Sequence, residues 1–305
     1  MTVAEIGQIC DSDAYQEIKS AVPFTPDPTK AYVGSVYVDA INSCLNGDPD
    51  RGGEPRVVPL GNGELGLATH SSTNRKLRDC VEDFVGECLG YLLMCKSGVN
   101  LNDWEKEVWK ERGKREDRRS FLLKHFFDVR MFGFTACDKT DDAEKAGSMA
   151  APFRTTYATS VHEVFPVMLG IAPSVGRKSD QDRSMGTASI IPYAMYCWHF
   201  QYLPEQGKKL RVSTEDLTLL FGLLPRLYNL TASATRSAVF TRKAYVFELN
   251  SSRTGPNIYR VWKSPTPRSG TEEPTSPEDY TFPSLPELQT QWKDKALVYE
   301  LVDGE

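Results

Sequence analysis

Ala31-Tyr32-Val33-Gly34-Ser35-Val36-Tyr37-Val38-Asp39-Ala40-Ile41-Asn42 is a run of β-branched and aromatic residues and reads as a strand. Directly after it stands Asn46-Gly47-Asp48-Pro49-Asp50-Arg51-Gly52-Gly53-Glu54-Pro55-Arg56, a concentration of turn residues that predicts a loop to about Gly66. Beyond the loop comes the clearest helical pattern in the chain. Leu77, Cys80, Val81, Phe84, Val85, Cys88, Leu89, Leu92 and Leu93 recur at steps of three and four, with Ser72 or Thr73 as a cap.

Further along, residues 103–124 carry dense mixed charge around Trp104 and Trp109, which predicts exposed helices inserted at about 97–125. Phe126–Thr135 and Thr155–Leu169 are expected as strands, with a polar loop or hairpin over 136–154 between them. A second polar loop spans 172–189, and an aromatic strand, Ile190–Leu203, follows. Ser213-Thr214-Glu215-Asp216 opens a helix to about Leu227 with Leu217, Leu220, Phe221 and Leu224 on one face. Thr241–Leu249 alternates as a last strong strand, and six prolines across 264–286 predict a linker or a surface-wrapping arm.

Without its insertions this order is the split βαβ pattern. It predicts an α+β chain: a ferredoxin-like, RRM-like βαββαβ palm with inserted helical and hairpin elements. The expected organisation is an N-terminal extension over 1–30, a core over 31–263 and a Pro-rich acidic arm over 264–305. Sheets of this kind bind single-stranded RNA in RRM domains, but a fold alone does not assign a function.

Composition narrows the classes. With 40% hydrophobic and 25% charged residues the chain is neither disordered nor a membrane protein. Seven cysteines without a Cys-x-x-Cys pair argue against a zinc site and fit a cytoplasmic protein with reduced thiols. The net charge of −5 is uneven. Residues 1–30 carry −3 and 264–305 carry −6, which leaves +4 for 31–263, a body that permits phosphate binding.

Three places invite a ligand. At the start of the long helix, Asn74-Arg75-Lys76-Leu77-Arg78 sets three cations at the positive end of a helix dipole. A bound phosphate would remove that conflict; the plain alternative is a solvated basic turn. The loop with Arg177, Lys178, Arg183 and Met185 joins cations to an apolar side chain able to part stacked bases; the plain alternative is an incidental methionine in a mobile loop. The turn-rich Asn46–Arg56 segment could be only a loop, and the spacing of Asp48, Asp50 and Glu54 does not match an EF-hand. His70, His125, His162 and His199 are scattered, and no catalytic motif stands out, so no cofactor, metal or enzymatic activity is expected.

Taken in order, six motifs resemble the backbone subunit family of type I CRISPR surveillance (Cascade) complexes, the Cas-seven family of the RAMP superfamily, closest to types I-C and I-B. They are Asn46–Asp50; Pro55-Arg56; Arg75-Lys76-Leu77-Arg78-Asp79; Phe126-Phe127-Asp128-Val129-Arg130-Met131-Phe132-Gly133; Met185-Gly186 with Ile191-Pro192-Tyr193; and Arg242-Lys243-Ala244-Tyr245-Val246-Phe247. The resemblance spans about 31–263. The chain is a divergent member: Gly147-Ser148-Met149-Ala150-Ala151-Pro152 stands where the family has Gly-x-x-Arg-Gly-Pro. Thr187-Ala188 replaces an Arg-Lys, and Thr231-Ala232 an Asp-Arg.

The resemblance implies a non-catalytic subunit whose copies line up along one CRISPR RNA and present it to a target DNA strand. Its other partners would be the remaining Cascade subunits: the cap of the RNA 5′ handle and the large and small subunits. It also implies an RNA-binding set of Arg51, Arg56, Arg75, Lys76, Arg78, Arg130, Arg177, Lys178, Arg183, Met185, Arg236, Arg242 and Lys243, with 172–189 as a thumb. Two rivals stand beside it: an RNA endonuclease of the same superfamily, with Asp48 or Asp50 as the residue to test, and a protein-interaction subunit that has lost RNA binding.

Overall fold

In the computed structural model the described residues are 13–43, 56–59, 65–68, 77, 116–135, 148–164, 167–171, 186–228, 238–250, 261 and 267–301. In chain order the elements are α1 (Asp13–Ser20), β1 (Ala31–Ser43), β2 (Arg56–Pro59), β3 (Leu65–Ala68), α2 (Glu116–His125) and α3 (Phe127–Phe132). Next come the short strands β4 (Phe134–Thr135), β5 (Ser148–Met149), β6 (Phe153–Thr155) and β7 (Thr159–Ser160), then β8 (Val167–Ile171) and the long β9 (Gly186–Tyr202). The chain continues with α4 (Pro204–Leu210), α5 (Thr214–Leu223), β10 (Val239–Leu249), β11 (Arg268–Ser269), β12 (Tyr280–Thr281), α6 (Leu285–Trp292) and β13 (Ala296–Leu301).

The architecture is α+β around one antiparallel sheet ordered β13-β10-β1-β9-β7-β3-β2, with β6 and β8 also pairing with β9. The opening strand lies at its heart. β1 pairs with β10 on one side and β9 on the other, and Ala31 through Ala40 are buried. Both faces are covered, which is why β1 is apolar without alternation. Tyr32, Val36, Val38 and Ala40 enter the larger core with Trp198, Phe200, Tyr202 and α5, while Ala31, Val33 and Tyr37 enter a second core on the opposite face. Gly34 sits where a Cβ would collide with the Phe200 ring and the Tyr245 carbonyl, so only glycine fits.

On the first face, α1 packs on α5, and its Glu17 pairs with the buried Arg226 at 2.7 Å. The second face is closed by the C-terminal residues. Segment 267–301 does not trail as a linker: β13 extends the sheet beside β10, and Tyr280, Leu288 and Trp292 bury against Tyr245, Phe247 and Leu249. The Tyr245 hydroxyl donates to the Pro283 carbonyl at 2.9 Å and pins the segment down. Buried aromatic side chains of this size each contribute roughly 1.5–3 kcal/mol relative to exposure.

Two predicted strands differ. The sequence predicts a strand over Phe126–Thr135, but α3 occupies most of it, with all of Phe127–Phe132 buried. A short, wholly buried apolar run carries no period that separates helix from strand, and tertiary packing chose the helix. Gly133, at φ 71°, ends it in a conformation that glycine adopts freely. Thr155–Leu169, predicted as one strand, is instead divided among β6, β7 and β8, with Tyr157 exposed between β6 and β7 and Val167 exposed at the start of β8. The predicted cap at Ser213 is present as a reciprocal box. Asp216 N–H donates to Ser213 Oγ at 3.1 Å and Ser213 N–H to Asp216 Oδ2 at 3.0 Å. Of the helix predicted from Leu77, only that residue is described; it is helical and buried in the larger core. Among the described residues no helix is long and apolar enough to cross a membrane.

Candidate nucleic-acid interface

The ladder registers fix which chain segments meet. At the C-terminal end of β1, Asp39 pairs with Phe240, Ala40 with Val239 and Ser43 with Ile191. β9 runs on past this end as a hairpin arm with β8, from Val167–Ile190 to Ile171–Gly186. β8 ends and β9 begins at the far end of that arm. β1 ends and β10 begins at this end of the sheet. Strand order thus brings described strand ends far apart in sequence to one end of the sheet.

The described residues at this end form a polar cluster. Tyr37 pairs with Lys243 but Val38 pairs with Thr241, so Arg242 is the extra residue of a β-bulge. A bulge re-aims side chains, and here Arg242 and Lys243 both find partners on the second face. Arg242 Nη2 lies 2.8 Å from Asp39 Oδ2, and its guanidinium stands over the Phe240 ring, 5.4 Å from the centroid. Lys243 Nζ pairs with Glu300 on β13. Asp39 is fully buried while the Arg242 side chain is 34% exposed, and the Phe240 ring is exposed as well. Burial pushes the Asp39 carboxyl above the usual carboxylate range, and Arg242 draws it back. The backbone N–H groups of Asp39 and Phe240 draw it down as well, and the buried Tyr193 hydroxyl nearby has no hydrogen-bond partner among the described residues.

Four of the thirteen predicted binding residues lie among the described ones. Arg242 and Lys243 belong to this cluster. Arg56 opens β2, opposite Ala68. Arg130 is buried, its Nε and Nη2 donate to Asp216 Oδ2 and Oδ1 at 2.8 and 2.7 Å, and its Nη1 donates to the Leu123 carbonyl at 3.0 Å. A guanidinium paired to a buried carboxylate anchors α3 to α5. Arg51, Arg75, Lys76, Arg78, Arg177, Lys178, Arg183, Met185 and Arg236 lie outside the described residues, as do Asp48 and Asp50. Sequence reasoning does not find Asp39, Tyr193 or Phe240. The one signal for Asp39 is an acid within an apolar strand.

The second face also brings Ser35, Cys197 and His199 together. Ser35 Oγ and His199 Nδ1 are 2.8 Å apart, and Cys197 Sγ is 3.7 Å from His199 Nε2. Burial pushes the thiol up to about 12 and the imidazole down to about 4, so both stay neutral near pH 7. A neutral thiol beside a neutral imidazole is not a thiolate–imidazolium pair. Among the described residues no group of three metal-ligating side chains forms.

An antiparallel α+β chain with Arg242 and Lys243 paired to acids at one sheet end is the class that these features define. The chain belongs to the CRISPR-associated Cas7 family, whose model, described as CRISPR-associated protein Cas7, matches residues 30–283. Among solved structures it is similar to a chain of a "CRISPR RNA-guided surveillance complex, pre-nicking", at TM-score 0.50 and 13% identity, covering 80% of this chain and 84% of that one. A chain of another "CRISPR RNA-guided surveillance complex" is similar at TM-score 0.43 and 13% identity, over 79% and 78%. A search of curated proteins by sequence finds no match.

Proposed function

We propose that the protein is a non-catalytic backbone subunit of a type I CRISPR surveillance complex, with copies aligned along a CRISPR RNA that they hold open for a target DNA strand. Family membership over residues 30–283 is the observation that carries this reading. The strand order β10-β1-β9 followed by β6 and β7, with α5 between β9 and β10, supports a ferredoxin-like palm. The second face of this palm differs from an open RRM platform: segment 267–301 covers it. RNA on this palm would therefore follow the end of the sheet where β1 leaves, with 172–185 at the tip of the β8–β9 arm as the thumb. The phosphates would be held by Arg75, Lys76 and Arg78 and by the neighbouring cations, and the protein would cut neither guide nor target.

The helix-start cations give the first test. RNA affinity is measured against salt for the native chain and for Arg75→Ala combined with Arg78→Ala. Every phosphate that an arginine neutralises contributes about 0.7 to the slope of log affinity against log salt, so the double variant is expected to show a shallower slope. An unchanged slope would remove these residues from the interface.

A further inference from the structure

Asp39 is hard to explain as a stabilising residue. A carboxylate buried in the central strand loses its hydration, and its ion partner among the described residues is a third exposed. Pairs of this kind are weak contributors to stability and are often replaced by apolar residues without loss. Two independent features surround it. The β-bulge displaces Arg242 from the regular ladder, and the Phe240 ring under the guanidinium remains exposed on a sheet whose other large aromatics are almost all covered.

We propose that Asp39 is a positioning residue that holds the Arg242 guanidinium over the Phe240 ring as a single-nucleotide contact for RNA. The N–H groups of Arg242 that Asp39 leaves free meet a backbone phosphate, and the exposed ring packs against the adjoining base. Arginine suits both tasks, because its planar fork stacks on a ring and pairs with phosphate oxygens together. Aromatic side chains beside cations are the usual means of holding single strands without reading their sequence. The inference rests on the proposed RNA-binding function and names where on the sheet end one contact is made.

The test turns on a sign. Asp39→Asn removes a negative charge next to a cation, so electrostatics alone would tighten RNA binding. Positioning predicts the opposite. With single-stranded RNA carrying 4-thiouridine, Asp39→Asn is expected to weaken binding about tenfold and to lose the photocrosslink to the peptide containing Phe240. Arg242→Lys, which keeps the charge without the fork and leaves Asp39 untouched, is expected to weaken binding similarly even if Asp39→Asn folds poorly. The two together should cost little more than either alone. Lys209→Ala, on α4 at the opposite end of β9, removes a charge of the same sign and should keep the crosslink. If the native chain binds RNA while Asp39→Asn and Arg242→Lys bind as well or better, the positioning role is wrong and the RNA-binding function stands. If the native chain does not bind RNA, the function itself is wrong.

Discussion

Asp216→Ala is expected to destabilise the protein by about 3–5 kcal/mol, because it takes the carboxylate partner from a buried arginine. Asp216 receives two hydrogen bonds from Arg130 and one from the Ser213 backbone, so one carboxylate ties α3 to α5 and caps α5 as well. Its loss takes the carboxylate from the Arg130 guanidinium, which also donates to the carbonyls of Leu123 and Lys124 in α2. Urea unfolding measures the effect. Arg130→Met combined with Asp216→Leu should recover much of it, since an apolar pair leaves no uncompensated charge. A native-like midpoint for Asp216→Ala would show that this ion pair does not hold the helices together. The same experiment separates Arg130 from the RNA: at temperatures where the variant remains folded, its salt slope should match that of the native chain.

Replacing residues 176–186 by a short Gly-Ser turn is expected to leave the monomer folded and to abolish or shorten the row of subunits on RNA. Among the described residues, the arm that carries this connection pairs β8 against the first residues of β9, beyond the ladder of β1 with β9. The described members of both cores lie outside 176–186. If the tip parts stacked bases, each step costs a few kcal/mol, and many backbone contacts in a row must offset that cost. A single subunit does not have them. Thermal unfolding of the free protein checks the fold, and mass photometry of the RNA complex checks assembly. Full-length rows without the tip would show that the connection is not a thumb.

Particular residues explain what is legible in the sequence. β1 is readable because a strand buried on both faces is a continuous β-branched and aromatic run. α5 is readable because Ser213 and Asp216 form a cap whose chemistry is local. α3 is not, because six consecutive buried residues leave no periodicity to choose by. The acidic, Pro-rich C-terminal segment reads as an arm, since its six prolines conceal the spacing of Tyr280, Leu288 and Trp292, which bury against the sheet. At the candidate site the motif Arg242-Lys243 is visible. Its coupling to Asp39 is not, because a bulge between strands two hundred residues apart is a property of the register. The Arg130–Asp216 pair is hidden for a related reason: a cation in a motif shows its charge, and only packing shows its partner.

The central claim is that copies of this chain assemble along RNA. Mass photometry of the purified protein with single-stranded RNAs of increasing length tests it directly. The account predicts complexes that grow in steps of one 34.2 kDa subunit as the RNA lengthens. A single bound copy whatever the RNA length, or none, would contradict it.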